Sequence, residues 1–211
     1  MKASKILENS TTLNAEDFIK WITESAKNEI VSSELKKSSG KNIIPAMKRY
    51  IKSCDDAKPV FKGYWIYEKH QFLCNGYSEV RLLISVKSGE LLIVSDEMLK
   101  ANDYNKRVSE ILIKASENSG KVFRIKFSDL KVLKAQHKPT KQNKIYVRID
   151  NSAYDLTLLY NILDIIGDAY ITMSTAEQNP IYINGVLGDA ILLPIRVDDI
   201  ENVKILVGKE V

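Results

Sequence analysis

Within Asn151–Val197 the apolar period changes from helical to alternating, and turn signals bound each piece. That stretch constrains the fold more than any other. Tyr154, Leu158, Ile162 and Ile165 recur at helical spacing and mark an amphipathic helix, with Gly167 where a C-cap belongs. Ala169–Ser174 and Pro180–Ile183 read as strands, Asn184-Gly185 as the start of a turn, and Ala190–Val197 as the returning strand. The segment ends on Leu193-Pro194-Ile195-Arg196-Val197, and Val203–Val207 reads as an added edge strand.

The upstream chain repeats this texture more faintly. Asn14 is a good N-cap, with Glu16 and Asp17 in the first turn, and Phe18, Ile22, Ala26 and Ile30 follow at helical spacing. Thr11–Leu13 reads as a short strand leading in, Ser32–Lys41 as a loop, and Ile43–Ile51 as a second helix. From Pro59 the sequence turns β-branched and aromatic. Val60–Tyr67, Gln71–Leu73, Glu79–Val86 and Leu91–Val94 read as strands, with Asn75-Gly76 and Ser88-Gly89 as turns. Ser95–Ser116 is more helical, with Met98, Val108, Ile111, Leu112 and Ala115 as core positions, and Glu117–Gly120 marks a boundary. Beyond it Val122–Phe127 alternates as a strand, Ser128 caps a short helix through Leu130 and Leu133, Gln136–Lys144 is a basic loop, and Lys144–Asp150 is a strand. The pattern of strand, helix and strands is thus met twice, over 11–120 and over 121–211 with an extra C-terminal tail.

Composition narrows the class. The chain has 211 residues, 45% of them hydrophobic and 27% charged, enough for one large domain or two small ones. Its two cysteines, Cys54 and Cys74, are too few for a disulfide scaffold, so buried thiols in a reducing cytoplasm are expected. Met1–Ser10 carries Lys2 and Lys5 with no apolar run behind them, which is not the pattern of a secretory signal, and the apolar runs are too short to span a membrane. The net charge of +4 conceals an asymmetry. Lys121, Arg124, Lys126, Lys131, Lys134, Lys138, Lys141, Lys144 and Arg148 face only Asp129, whereas the chain from Asp150 onward is acidic. Two readings of the basic segment stand side by side: contacts to nucleic-acid phosphates, or a solubilising loop.

The order Asn151-Ser152-Ala153-Tyr154, helix, two strands and Leu193-Pro194-Ile195-Arg196-Val197 resembles the last half-domain of bacterial DNA polymerase sliding clamps, the β subunits. Phe72–Leu82, with Cys74-Asn75-Gly76-Tyr77 at its turn, is similar to the strand and turn of a clamp domain's first half. The resemblance implies an α+β, DNA-clamp-like (processivity) fold, with antiparallel sheets and helices on one face. It implies a non-enzymatic protein that binds duplex DNA non-specifically, partner peptides of replication or repair proteins, or both, and that closes a ring only by oligomerising. A protein-interaction module on the same fold, without DNA binding, is the alternative. In clamps the corresponding residues border a peptide pocket, which here implies a groove walled by Asn151, Tyr154, Pro180, Leu193, Pro194, Ile195, Arg196 and Val197. Its DNA-facing residues lie largely on helices, so Lys20, Lys27, Lys48, Arg49 and Lys52 rival Lys121, Arg124, Lys126, Lys131, Lys134, Lys138, Lys141 and Lys144.

Other chemistries find little support. Tyr64, Trp65, Tyr67 and Tyr77 suit a stacking platform or, better, a half-buried sheet. His70 and His137 are isolated, Asp55-Asp56 and Asp198-Asp199 read as solvated turns, and no Gly-rich phosphate loop or nucleophile–base order stands out. No metal or cofactor is expected.

Overall fold

A computed structural model describes residues 14–19, 43–53, 59–68, 70–83, 92–95, 99, 106–117, 119–140, 142–174, 180–198 and 200–211. The chain divides into two compact units, Met1–Asn42 and Ile43–Val211. In the first, residues 15–19 are helical. Asn14 caps them, its Oδ1 accepting the Asp17 N–H at 2.9 Å, as its place before an acidic first turn predicts. Thr11–Leu13, Lys20, Ile22, Ala26, Lys27, Ile30 and Ser32–Lys41 lie outside the described residues.

The second unit opens with α1 (Ile43–Lys52), a 3-10 turn (Pro59–Lys62), β1 (Gly63–Tyr67), β2 (His70–Cys74) and β3 (Ser78–Leu82). Next come β4 (Leu92–Ile93), α2 (Lys106–Ala115), β5 (Val122–Ile125), α3 (Phe127–His137), β6 (Tyr146–Ile149) and β7 (Ser152–Asp155). It finishes with α4 (Leu156–Ile166), β8 (Ala169–Thr172), β9 (Ile181–Gly185), β10 (Gly188–Leu192), a 3-10 turn (Ile200–Asn202) and β11 (Lys209–Glu210). The architecture is α+β. The main sheet runs β11-β5-β8-β9-β10-β3-β2-β1-β4, antiparallel except where β4 joins β1, and β6 and β7 form a separate ribbon.

The centre of this sheet is the antiparallel pair β3–β10, in register at Val80 and Ala190. On one side lie β2 and β1, preceded in the chain by α1. On the other lie β9 and β8, preceded by α4. Each half is a helix followed by a three-stranded meander, and the halves meet through their last strands. Val80, Leu82, Ala190, Leu192, Ile183 and Ile171 share one buried cluster with α4 residues Leu159, Ile162, Leu163 and Ile166 and with Ala46, Met47 and Tyr50 of α1. Both helices therefore lie on the same face, as an approximate two-fold between β3 and β10 requires. Burying each large aliphatic of α4 contributes roughly 1.5–3 kcal/mol, which makes that helix the anchor of the layer. The expected arrangement, with the Leu158–Ile165 stripe resting on a sheet that contains Ala190, is present.

Several boundaries differ from the sequence reading. Tyr154 ends β7 instead of opening the helix, because Asp155 takes the N-cap and accepts from the amides of Thr157 at 2.7 Å and Leu158 at 3.2 Å. Asn184 and Gly185 remain in β9, and the turn falls at Val186–Leu187. The returning strand stops at Leu192, and Ile195 then bridges to Ala153. Ser128 does not cap α3. Asp168, beyond the end of α4, accepts the Phe127 N–H at 2.8 Å. The edge strand expected at Val203–Val207 is a single bridge, Leu206 to Arg148, and β11 supplies the edge beside β5. Helices also cover more than one face. Leu112 and Ala115 of α2 pack on Ile191 and Tyr182, which point away from α4. The Asn75-Gly76 turn forms as read: Asn75 Oδ1 accepts the amides of Tyr77 at 3.0 Å and Ser78 at 2.9 Å. No helix among the described residues is long and apolar enough to cross a membrane.

Candidate nucleic-acid interface and peptide groove

The helical layer carries Lys48, Arg49 and Lys52 on α1 and Lys131 and Lys134 on α3. Arg49 of α1 reaches across α4 to Asp164, with Nε 3.2 Å from Oδ2. On α3, Lys131 sits over the Phe127 ring at 4.5 Å and Lys134 over the Tyr160 ring at 3.7 Å. Burial, with Arg49 nearby, lowers the Lys134 pKa, and Asp164 opposes the shift. Lys138 closes α3 in the left-handed conformation, its N–H on Lys134 O at 2.9 Å. Between these elements opens a pocket of about 360 Å³, bordered by Arg49, Lys52, Lys134, Lys144, Tyr77 and Asn161. Two members of each rival basic set, Arg49 and Lys52 of one and Lys134 and Lys144 of the other, thus meet at one site.

The rest of the basic segment is dispersed. Lys121 is paired with Asp150 at 3.1 Å. Arg124 projects from β5 on the face away from the buried cluster that holds Phe123 and Ile125, beside Lys209 of β11. Lys126 is exposed before α3, and Lys141 lies outside the described residues.

Six of the eight residues expected to wall a groove share one cavity. Asn151, Leu193, Pro194, Ile195, Arg196 and Val197 line one open groove of about 780 Å³, joined by Ser152, Ala153, Asp198 and Ile200. Tyr154 and Pro180 are not part of it. Tyr154 is buried in the core, where burial pushes its phenol up to about 12, and Pro180 precedes β9. The tail walls the groove through Asp198 and Ile200 without filling it, then runs along β6, where Val207 N–H donates to Arg148 O at 3.0 Å.

A second polar cluster escaped the sequence reading because alternation placed it on a solvent face. Arg81 of β3 and Asp189 of β10 are cross-strand partners, with Arg81 Nε 2.8 Å from Asp189 Oδ1 and the Tyr182 hydroxyl donating to Oδ2 at 2.8 Å. Beside them Glu79 is 1% exposed, and neither of its carboxylate oxygens has a hydrogen-bond partner among the described residues. Burial, then the Asp189 charge, lift its pKa to about 8, against the pull of Arg81. The signal available in the sequence was the run Glu79-Val80-Arg81 facing Asp189, a charge pair across strands whose cover was not legible.

The aromatics divide as a half-buried sheet would have them. Tyr64 and Trp65 are buried, Trp65 stacks on Phe72 at 6.0 Å, and Tyr77 stands half exposed at the pocket rim. Cys74 is a buried free thiol, and Cys54, Asp55 and Asp56 lie outside the described residues. Among the described residues no group of His, Cys, Asp and Glu could hold a metal ion. No protein-family profile, curated protein or solved structure gives a significant match to this chain.

Proposed function

We propose that this chain is a non-enzymatic binding protein on a sliding-clamp-like domain, holding duplex DNA through its phosphate backbone across the α1–α4–α3 face. The observation that carries this reading is the convergence of Arg49, Lys52, Lys134 and Lys144, drawn from separate elements, on one site in the helical layer. The paired helix-and-meander halves support it, since clamp domains are built from two such halves with both helices turned to the DNA. Lysines and arginines set on helices neutralise phosphates and release counterions without reading bases.

The test is duplex DNA binding by fluorescence anisotropy over a salt series, with mass measurement of the oligomer alongside. Affinity should fall steeply with salt. The double variant Lys52→Glu, Lys144→Glu should flatten the slope of log affinity against log salt by about 2, since each phosphate contact contributes roughly 0.9. Salt-independent retention, or binding unaffected by both reversals, refutes the reading.

The open groove favours a second reading, a protein-interaction module that needs no DNA. A short apolar peptide with one acidic group would lie against Leu193–Val197, near Arg196. Loss of partner capture on Ile195→Asp, with capture preserved in the lysine variants, would establish that reading.

A further inference from the structure

The pocket beside the start of α4 has features that contact with a duplex backbone does not need. Asn161 is 4% exposed and lines the cavity, where its side-chain amide is available to a ligand. An amide at this position brings a donor and an acceptor to the cavity wall, where a leucine would simply pack. Tyr77 offers a ring that is 48% exposed from a rigid mount: its N–H donates to Asn75 Oδ1 at 3.0 Å and its carbonyl accepts from Leu193 N–H at 3.0 Å. Lys52 and Lys144 have no ion-pair partner among the described residues, whereas Arg49 is steadied by Asp164. Asp155 already occupies the N-terminus of α4, so an anion in the pocket is met by side chains and not by helix amides.

We propose that this pocket receives a single nucleotide unit, its phosphate held by Lys52, Lys144 and Arg49 and its base set against Tyr77 with one edge on Asn161. The volume of about 360 Å³ suits a small ligand. An asparagine amide presents a donor and an acceptor side by side, the pattern of a base edge. An aromatic ring flanked by cations is the arrangement that holds unpaired bases. A duplex keeps those edges occupied, so the nucleotide arrives free or as an unpaired residue of a strand. The inference rests on the reading of the helical face as a nucleic-acid interface, which supplies the second source.

The experiment titrates the full chain with deoxynucleoside monophosphates, a short single-stranded oligonucleotide and inorganic phosphate, following Tyr77 and Asn161 resonances by NMR. A nucleotide ligand should bind at least about tenfold more tightly than phosphate, the ratio that one good base contact supplies. Asn161→Leu should lose that advantage while duplex affinity is unchanged, and Tyr77→Ala, at an exposed position that folding tolerates, should weaken nucleotide binding roughly fivefold or more. Binding of the free monophosphates identifies one source, and binding of the oligonucleotide alone the other. Both support the pocket. Phosphate matching the nucleotides, or both variants binding nucleotides like the parent, overturns it. Intact duplex binding with no nucleotide binding overturns the pocket and leaves the proposed function standing. Loss of the salt-dependent duplex effect with nucleotide binding retained supports the pocket and removes the duplex reading.

Discussion

Replacing Glu79 with glutamine should remove a fall of stability with pH that the parent protein shows, so that the order of the two proteins reverses across the neutral range. The Glu79 carboxyl of β3 is buried without a hydrogen-bond partner among the described residues, and burial holds its pKa at about 8 against an ordinary 4.5. The folded state therefore holds a proton that the unfolded chain has lost anywhere between those values. The unfolded chain binds fewer protons there, so stability falls as pH rises, by about 1.4 kcal/mol per unit. From about pH 5 to about pH 8 the parent should lose roughly 4 kcal/mol through this one group, and nothing further from it above that. Glutamine keeps the shape and the neutrality of the protonated acid and removes the titration. Its own unpaired amide costs about 1–3 kcal/mol at every pH. The variant should thus be the weaker protein in acid and the stronger one in mild alkali, and the two curves should cross. Urea unfolding at four pH values across this window, read as the difference between the two proteins, isolates Glu79 from every other titrating group. A difference that stays constant within about 1 kcal/mol would refute the claim that Glu79 is folded as a neutral acid.

Two further substitutions test how α4 is framed. Asp155→Ala removes the acceptor for the Thr157 and Leu158 amides and should cost about 1 kcal/mol in urea unfolding, while duplex DNA binding is unchanged or tighter because a carboxylate leaves the pocket rim. Gly167 ends α4 at φ 83° and ψ −160°, with its N–H on Leu163 O at 2.8 Å. A Cβ there meets nothing within 4 Å, so Gly167→Ala should cost about 1–3 kcal/mol through backbone strain alone, and a cost near zero would show that the cap is not needed.

Much of the fold was legible because local patterns and tertiary demands agree. The stripe from Leu158 to Ile165 predicts α4, and Asn75-Gly76 predicts the hairpin at which Tyr77 stands. The near match of Ile43–Ile51 with α1 has the same origin, an apolar face at helical spacing. The groove residues Asn151 and Leu193–Val197 were named from a resemblance and do share one cavity, but Tyr154, named with them, lies in β7 and is buried in the core. Asn151, Ser152 and Asp155 are all good N-caps, and it is Asp155 whose carboxylate accepts the first free amides of α4. Lys121–Lys144 reads as one basic run, yet Arg124 is separated from Lys134 because one is on a strand that faces away from the core and the other is on a helix laid over it. Asn161 drew no notice at all: one polar residue among the apolar positions of α4 has no meaning until something is known to open beside it.

The sequence by itself determined where helices and strands alternate, which stripe of α4 is apolar and where the tight turns fall, since periodicity and turn chemistry act over a few residues. Only the tertiary structure decided that β3 and β10 meet at the middle of the sheet, that α2 packs on Ile191, the cross-strand partner of Glu79, and that lysines distant in the chain line one pocket with Asn161. Those outcomes depend on long-range strand pairing and on what packs over each face, and no local pattern of residues encodes either.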